Sequence, residues 1–385
     1  MDNGQKQNSA TGSVERCTLE DAGSRFGPAW RELLSRKDTE PSLAPEWLLS
    51  TASSKEVPDD IEVFVQAGAA GVDWLVPLLR RDIRMYGLRC TTWEAPGNSL
   101  MAYHAGILAR VPYADALAAV LRALSKKADI VVLPLVVENS EMHTAVGAVT
   151  KRGGWHALTY DGVASPYVTV EGSWDAFLQS KSRNFRYTLG RKERALEKKG
   201  QLTERWYFTP SDTTSLLADM LAVEAASWKV DAGMAVSDRK VEQRYYERLL
   251  PLLAEKKALV ANVLSLDAVP IAYSLCYAWN GKLGQMKTSF SEGFSELSPG
   301  LVVNHHAVRY AFENGYTEFD FLGDVMPHKT HWTDASRRHK TYYLLAPNAK
   351  MRTLRLVKTV GQLAHRFRAP QQTLGRGARR QERDT

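Results

Sequence analysis

Two carboxylates stand at the end of a predicted strand, where they could act on a bound substrate. In the segment TEFDFLGD, Phe319 and Phe321 fall on one strand face and Asp320 on the other, because side chains alternate along a strand. Asp324 follows just past the strand. Ligands of open α/β sheets gather at the carboxyl ends of the strands, which makes Asp320 and Asp324 candidates for a general base or an anchor of an acceptor amine. Aspartate beside glycine is also ordinary turn chemistry.

A second polar set comes earlier in the same half of the sequence. Lys287 alternates with Gln285 and Ser289 along a predicted strand, which indicates a polar strand face turned toward a cleft. A lone strand lysine is otherwise usually a surface residue. In the next predicted helix, the adjacent His305 and His306 point to different sides, so at most one should reach the cleft. We take Lys287 as a catalytic candidate, and Gln285 and His306 as candidates for the substrate pocket.

The histidines do not form a recognisable metal motif in the sequence. Asp324, His328 and His331 are close in sequence, but Pro327 lies among them and the helical H-E-x-x-H frame is missing. No metal site and no tightly bound cofactor are therefore predicted. The sequence also lacks a G-x-S-x-G elbow and a Walker loop, the motifs typical of α/β hydrolases and of NTPases, so neither class of enzyme is predicted.

Basic residues cluster in two segments. Between residues 181 and 199 the basic residues are Lys181, Arg183, Arg186, Arg191, Lys192, Arg194, Lys198 and Lys199, against Glu193 and Glu197. Arg183 and Arg186 are candidates for binding the phosphate groups of a ligand, although this segment could equally contact an acidic protein or RNA. Such a run is otherwise a solvated helix face.

The second basic segment lies near the C-terminus. From Lys350 to Arg380 the chain has no Asp or Glu, and Leu354, Val357 and Phe367 are among the apolar residues at helical spacing. This pattern is typical of an amphipathic helix on an anionic membrane surface, and also of a partly disordered basic tail. DNA is not predicted as a partner.

The elements that must position these residues occur in the same order twice. In the first half, a hairpin (IEVFVQA and VDWLVPLLR), a strand (YGLRCTTWE), a loop, a helix (PYADALAAVLRALSKKA) and a buried strand (IVVLPLVV) follow one another. In the second half, ALVANVLSLD, IAYSLCYAW, KLGQMKTSF, LVVNHHAVRYAFENG and TEFDFLG repeat this order. Asn280-Gly281 predicts a type I′ turn, and Ser173 an N-cap for a connecting helix that could be broken.

Length and composition bound the class of protein. The chain has 385 residues, 44% hydrophobic and 24% charged, which suits two domains of ordinary size. Its net charge is only +7, so a basic surface must come from clustering.

The cysteines indicate the compartment. Cys17, Cys90 and Cys276 stand far apart, which fits a reducing cytoplasm. A secretory signal is missing, and the apolar run 130–137 is too short to span a bilayer. We expect a cytoplasmic protein and leave open peripheral binding at the inner membrane face.

Three passages of the second half carry a family resemblance. They are SKSRNFRYTLGRKERALEKKG, LSPGLVVNHHAVRYAFENGYTEFDFLGD and HKTHWTDASRRHKTYYL. These passages resemble the CelD-like (cellulose biosynthesis protein) acetyltransferases of the GNAT superfamily, relatives of the Fem peptidyltransferases. Lys329 and Trp332 match the lysine and tryptophan of the family's closing motif, before a last strand. The first half is similar to the family only in element order and in its PEWLLS and VPLLRR stretches.

The resemblance implies tandem GNAT-like domains and acyl transfer from a thioester, usually acyl-CoA, to an amine or hydroxyl. The donor pyrophosphate would lie at a helix N-terminus, here Ser298, Pro299, Gly300 and Leu301. Ordinary superfamily members have a Q/R-x-x-G-x-G/A loop there, whereas this sequence has SPG, so an acyl carrier protein or aminoacyl-tRNA stays open as donor. Lys329 would neutralise a phosphate or the developing oxyanion, and Trp332 would wall the acyl pocket.

The sequence therefore predicts an α/β fold with two GNAT-like domains, each a mixed, mostly antiparallel sheet flanked by helices. The expected segments are a disordered tail (1–15), an N-terminal GNAT-like domain (16–172), a C-terminal acyltransferase domain (173–346, with the connecting basic helix at 173–200) and a basic tail (347–385). The predicted activity is transfer of an acyl group from acyl-CoA or an acyl carrier protein thioester to a small-molecule or saccharide acceptor. The alternatives are a Fem-like aminoacyl-tRNA-dependent transferase and a non-catalytic subunit of a polysaccharide-biosynthesis complex.

Overall fold

The computed structural model describes residues 13–36, 39–53, 60–69, 71–85, 87–96, 106–152 and 154–355. In the first half, the elements are β1 (Val14–Thr18), α1 (Leu19–Leu34), α2 (Pro45–Ser53), β2 (Ile61–Gly68), β3 (Gly71–Met85), β4 (Leu88–Glu94), β5 (Leu108–Ala109), α3 (Tyr113–Leu124), β6 (Ile130–Val137), α4 (Glu141–Arg152) and β7 (His156–Thr169). β1 begins inside the predicted tail, which otherwise lies outside the described residues.

The second half begins with two consecutive helices. Its elements are α5 (Trp174–Ser180), α6 (Arg183–Lys199), β8 (Leu202–Tyr207), α7 (Thr213–Ala225), α8 (Lys240–Glu255), β9 (Leu259–Leu266), β10 (Val269–Trp279), β11 (Lys282–Phe290), α9 (Pro299–Glu313), β12 (Glu318–Asp320), α10 (Pro327–Thr330) and β13 (Ser336–Leu345). The connecting helix is broken, because Ser173 and Ser182 each cap a separate helix with a side-chain hydrogen bond.

Local turn chemistry places the strands of the second half as the sequence predicts. Asn280 and Gly281 both have positive φ, 47° and 79°, which is the backbone that a two-residue type I′ hairpin requires. Asp267 and Ala268 turn the preceding hairpin with φ of 50° and 65°. Gly315 has a φ of 71° just after α9, as expected of a C-terminal cap.

The described strands form one mixed sheet of thirteen strands. The order is β1-β2-β3-β4-β6-β13-β7-β12-β11-β10-β9-β8, and β5 pairs with β3. In each half, three antiparallel strands are followed by a helix and a parallel strand, so β4 pairs parallel with β6 and β11 pairs parallel with β12. The predicted fold, a mixed and mostly antiparallel α/β sheet flanked by helices in two similar halves, is confirmed.

The two halves are joined at β7 and β13. β13, the last strand described, lies between β6 and β7 and so completes the first half of the sheet. β7 is long enough to pair with β13 along most of its length and with β12 at its end. The predicted boundary between residues 172 and 173 stays a prediction, since these strands link both halves.

Helices cover both faces of the second half. α7, α8 and Trp47 of α2 pack on one face, against side chains such as Tyr273, Leu275 and Tyr277. α9 packs on the other face, against Leu264, Ile271 and neighbouring side chains. Among the described residues, none of the helices has both the length and the apolar character needed to cross a membrane. Residues 356–385 of the predicted basic tail lie outside the described residues.

Candidate functional site

The parallel strands β11 and β12 pair only at their starts. Lys282 to Gly284 face Glu318 to Asp320, and β12 then ends, while β11 continues to Phe290. No described strand pairs with this edge of β11 beyond Gly284. On its other edge, the register with β10 shifts between Leu275 and Cys276, which leaves Met286 as a β-bulge. A slot in the sheet therefore opens beside a bulge.

Helix α9 begins at the far end of β11. Ser298 adopts the left-handed conformation (φ 53°), and its carbonyl accepts a hydrogen bond from the Leu301 N–H at 3.0 Å. Pro299 has no N–H to leave unpaired at this position. A Cβ at Gly300 would stand 2.9 Å from the Phe290 ring, which explains the need for glycine. The predicted donor segment is thus the N-terminus of a 15-residue helix.

Lys287 follows the bulge and belongs to a buried ion network. Its Nζ lies 2.7 Å from Glu242 Oε1 of α8 and 3.3 Å from Glu224 Oε1 of α7. Glu224 also accepts hydrogen bonds from Lys229 Nζ at 2.7 Å and from the Tyr273 hydroxyl at 2.6 Å. Burial opposes ionisation of Glu224, but the Lys229 and Lys287 ammonium groups hold its pKa below the usual value. The network ties two helices to the bulged strand.

Asp320 lies in a pocket between the two halves. The pocket is open to solvent, and the empty space in it, including the part open to solvent, is about 320 Å³. Its lining residues are Thr39, Glu40, Tyr277, Trp279, Asn280, Lys282, Gly284, Glu318, Asp320 and Arg337. Asp320 accepts hydrogen bonds from Ser165 Oγ at 2.7 Å and from Arg337 at 2.5 Å. Arg337 also donates to Glu318 Oε2 at 2.8 Å. Asp320 is therefore fully engaged in holding Arg337 in the pocket wall.

Glu40 is a carboxyl group of this pocket with a raised pKa. The Tyr277 hydroxyl donates to its Oε2 at 3.1 Å. Burial, reinforced by the nearby Asp320 carboxylate, raises the pKa of Glu40 to about 7. A carboxyl group with this pKa exchanges its proton near neutral pH, which suits a general base.

The sequence pattern did not indicate Glu40, Glu224, Glu242 or Arg337. Glu40 stands before Pro41 in a segment without helical or strand period, so no local signal marks it. Arg337 lies within the third family-like passage and could have been selected there.

Lys329 and Trp332 lie beside the loop that follows β12. Lys329 is buried and donates from Nζ to the carbonyl oxygens of Leu322, at 2.5 Å, and Asp324, at 3.1 Å. Burial lowers its pKa. Trp332 is fully buried, edge-on to the Phe185 ring at 5.0 Å. Asp324 is exposed, and its Oδ1 accepts the Val325 N–H.

The remaining predicted residues lie on the α9 side of the sheet. Gln285 is buried and donates to Ser274 Oγ at 2.7 Å and to Asn304 Oδ1 at 2.8 Å. Arg183 is exposed, and Arg186 donates to the Gln179 carbonyl, which closes the corner between α5 and α6. The structure thus places Asp320 in the pocket and Lys287 beside the bulge, whereas Gln285 contacts α9 and His306 lies on α9 away from the pocket.

Gly284 connects the pocket to the bulge, and its replacement is our first test. In the Gly284→Ala variant, the new Cβ would overlap the Tyr277 ring, which is buried edge-on against Trp47. We expect a loss of about 1 to 3 kcal/mol of unfolding free energy in urea titrations. Gly147→Ala in α4, where a Cβ meets nothing within 4 Å, should instead stabilise by about 0.5 to 1 kcal/mol. Equal effects of the two variants would contradict this description of the pocket wall.

Comparisons with known proteins concern the fold. Residues 183–330 match the family model described as the acetyltransferase (GNAT) domain. No curated protein matches the chain. The structure of FemX superimposes with a TM-score of 0.58 at 12% identity, covering 91% of this chain and 99% of that one.

Two further solved structures have the same fold. One is a conserved protein of unknown function from Bacteroides thetaiotaomicron VPI-5482, with a TM-score of 0.56 and 13% identity over 86% of this chain and 99% of that one. The other is a DUF2156 domain from Agrobacterium fabrum, with a TM-score of 0.52 and 9% identity over 88% of this chain and 96% of that one. At these identities the similarity shows the fold alone. Residues 183–330 thus match the model of the acetyltransferase (GNAT) domain, while the narrower CelD-like resemblance stays a prediction.

Proposed function

We propose that the chain is an acyltransferase that moves an acyl group from acyl-CoA, or from an acyl carrier protein thioester, to an amine or hydroxyl of a small-molecule or saccharide acceptor. The observation that carries this proposal is the slot where β11 leaves β12, beside the bulge at Met286 and below the N-terminus of α9. The slot connects the α9 face of the sheet with the face that carries the pocket. A thioester and its acceptor can therefore approach from opposite faces and meet there.

The donor is proposed to bind along the free edge of β11. Beyond Gly284, the edge of β11 where β12 has ended offers backbone hydrogen-bonding groups to an extended thioester arm, apart from the Thr288 carbonyl, which accepts from Lys229 Nζ at 2.9 Å. The α9 N-terminus at Ser298 to Leu301 would receive the pyrophosphate, since helix N-termini attract anions. We also propose that Lys329 neutralises a donor phosphate or the developing oxyanion and that Trp332 walls the acyl pocket. The phosphates of coenzyme A would be bound by Arg183 and Arg186.

The acceptor is proposed to bind in the pocket between the halves. Glu40, Glu318 and Asp320 contribute three carboxyl groups, against the cations of Arg337 and Lys282. This balance favours a cationic amine or a polyhydroxylated acceptor over an anion. Gly284 lines the pocket two residues before the bulge, about 7 Å along the strand. The pocket therefore adjoins the place where the thioester carbonyl would lie.

The reaction would be a direct transfer. The acceptor nitrogen or oxygen attacks the thioester carbonyl, its proton passes to the Glu40 carboxylate, and the carbon–sulfur bond breaks as the thiolate leaves. Asp320 and Arg337 would hold the pocket wall and keep the pKa of Glu40 near neutrality. Lys287 stays a catalytic candidate through its place beside the bulge, as does Asp324 through its place at the loop after β12. Positioning of two substrates accounts for much of the rate in such reactions.

A second candidate function is Fem-like transfer of an amino acid from aminoacyl-tRNA. The observation that favours it is the exposed basic face of α6, formed by Arg183, Arg191, Arg194, Lys198 and Lys199. Such a face attracts a polyanion, and the attraction weakens with salt. RNA-dependent aminoacyl transfer without any response to acyl-CoA would favour this function, and binding without transfer would favour a non-catalytic subunit.

The donor site can be tested with one matched pair of variants. Ser298→Asp keeps a residue that tolerates the left-handed conformation, but it adds a carboxylate beside the helix N–H groups. We expect acetyl-CoA or palmitoyl-CoA to raise the unfolding temperature of the wild-type protein, and Ser298→Asp to weaken this binding at least tenfold. Ser298→Asn has the same shape without the charge and should bind within about twofold of wild type. If both variants bind like wild type, the donor is not held by this helix.

A further inference from the structure

A cluster of histidine and carboxylate side chains lies between α6, β8 and α9, apart from the pocket. Glu193 extends from α6, Glu204 from β8, and His305 and His306 from α9. His306 Nε2 lies 2.9 Å from Glu193 Oε1, and its Nδ1 lies 2.9 Å from Glu204 Oε1. Both histidine rings thus approach Glu193, whereas the sequence predicted that the two side chains point to different sides of α9.

One ring nitrogen of this cluster is buried without a hydrogen-bond partner among the described residues. It is Nδ1 of His305, a residue only 8% exposed. Glu193 Oε2 lies 3.7 Å from it, beyond hydrogen-bonding distance. The Trp174 ring stacks on the His305 ring at 5.3 Å and fixes its orientation. A buried polar atom without a partner costs free energy, so a missing ligand is a natural explanation.

We propose that Glu193, His305 and His306 bind a divalent first-row transition-metal ion of the Zn²⁺ type. Among the described residues, these three form the only group of three or more His, Cys, Asp or Glu side chains whose ligand atoms lie close enough to share an ion, within 4.8 Å of one another. Zn²⁺ prefers nitrogen and carboxylate ligands at roughly 2.0 to 2.2 Å, so small side-chain movements would close the site around it. Water would fill the open coordination position.

Glu204 would serve as the outer partner of a ligand. With Nε2 of His306 on the metal, Nδ1–H donates to Glu204 Oε1, which is itself fixed by a 2.8 Å hydrogen bond from Asn262 Nδ2. A carboxylate behind a metal-binding histidine orients the ring and increases its basicity. The bound ion would connect α6 to α9, the helix whose N-terminus is the proposed donor site. The metal proposal itself rests only on the geometry of the cluster.

The test is metal titration of the full chain, purified without a histidine tag and treated with chelator. We expect one Zn²⁺ per chain, a higher unfolding temperature with Zn²⁺, and visible absorption bands with Co²⁺. Glu193→Gln, at a side chain that is 30% exposed, should weaken Zn²⁺ binding at least 100-fold and remove the Co²⁺ bands. Glu204→Gln should weaken binding about 10- to 100-fold.

His328→Asn is the matched control, since this exposed histidine lies outside the cluster and should leave binding unchanged. Circular dichroism would establish that each variant is folded. Failure of the wild-type chain to bind Zn²⁺ at micromolar concentration, or undiminished binding by Glu193→Gln, would each overturn the proposal.

Discussion

Replacing Glu40 with glutamine is expected to lower kcat/KM for acyl transfer by about 10² to 10⁴, the usual contribution of a positioned general base. Glutamine keeps the size of the side chain and can still accept the hydrogen bond from the Tyr277 hydroxyl. It cannot take a proton from the acceptor. The wild-type rate should rise as pH increases through about 7, because Glu40 must be deprotonated to act, and the variant should lose this rise.

The same substitution should increase stability at alkaline pH. The pKa of Glu40 is about 7 in the folded protein, against 4.5 as its ordinary value. A raised carboxyl pKa contributes stability that is fully present below the unfolded pKa and is lost as pH rises through the folded value. At pH 8 the wild-type protein therefore bears the cost of a buried charge, on the order of 3 kcal/mol, that Glu40→Gln avoids. Below pH 4.5 the two proteins should be about equally stable.

These two readouts separate a catalytic role from a structural one. A variant that loses activity because its pocket has collapsed should also be less stable, whereas Glu40→Gln should be slower and more stable at pH 8. Glu32→Gln on α1 is a suitable control, because this carboxylate is 63% exposed and pairs with the Arg110 side chain on the surface, away from the pocket. An unchanged rate in Glu40→Gln would show that Glu40 is not the general base, and Asp320 and Lys287 would then be the candidates for the catalytic role.

The sequence predicts the elements of each half because the signals for them are local. Asn280-Gly281 determines a hairpin by its own backbone preference, and Ser173 and Ser182 cap helices through residues three positions away. The pairing of β13 with β6 and β7 has no local signal in the sequence, since any strand of suitable pattern could lie between them. The domain boundary predicted at residue 173 therefore does not include β13 in the first half of the sheet.

The candidate site is only partly predictable for the same reason. Asp320 was found because alternation along its strand separates it from Phe319 and Phe321. Glu40 and Arg337 stand near opposite ends of the chain, and they meet only because β13 joins the first half of the sheet. Alternation predicts that Lys287 and Gln285 share one strand face, but the bulge at Met286 turns Lys287 toward α7 and α8 while Gln285 faces α9. Its partners Glu224 and Glu242 lie on helices whose facing surfaces depend on tertiary packing.

Replacing Glu224 with glutamine is expected to have the largest effect on stability, a loss of about 3 to 5 kcal/mol at pH 7. The side chain is 0% exposed, and it accepts hydrogen bonds from Lys229 Nζ, the Tyr273 hydroxyl and, at 2.8 Å, the Val236 N–H. Removing its charge takes away the carboxylate that Lys229 pairs with and leaves Lys287 with Glu242 alone. Removing one partner of a buried ion pair leaves a buried charge uncompensated, which costs more free energy than the intact pair contributes. Urea unfolding at pH 7 measures the loss directly.

The pH dependence of this loss distinguishes the ion network from simple packing. The pKa of Glu224 is lowered in the folded protein, so its ionisation contributes stability that is fully present above the ordinary carboxyl pKa of 4.5 and is lost as pH falls through the folded value. The gap in unfolding free energy between wild type and Glu224→Gln should therefore narrow in acid. Glu247→Gln on α8, an exposed carboxylate bonded only to Gln243, should change stability by less than about 0.5 kcal/mol at any pH. A loss below about 1 kcal/mol in Glu224→Gln, or a gap that does not narrow in acid, would show that the bulged strand is held in place without these charges.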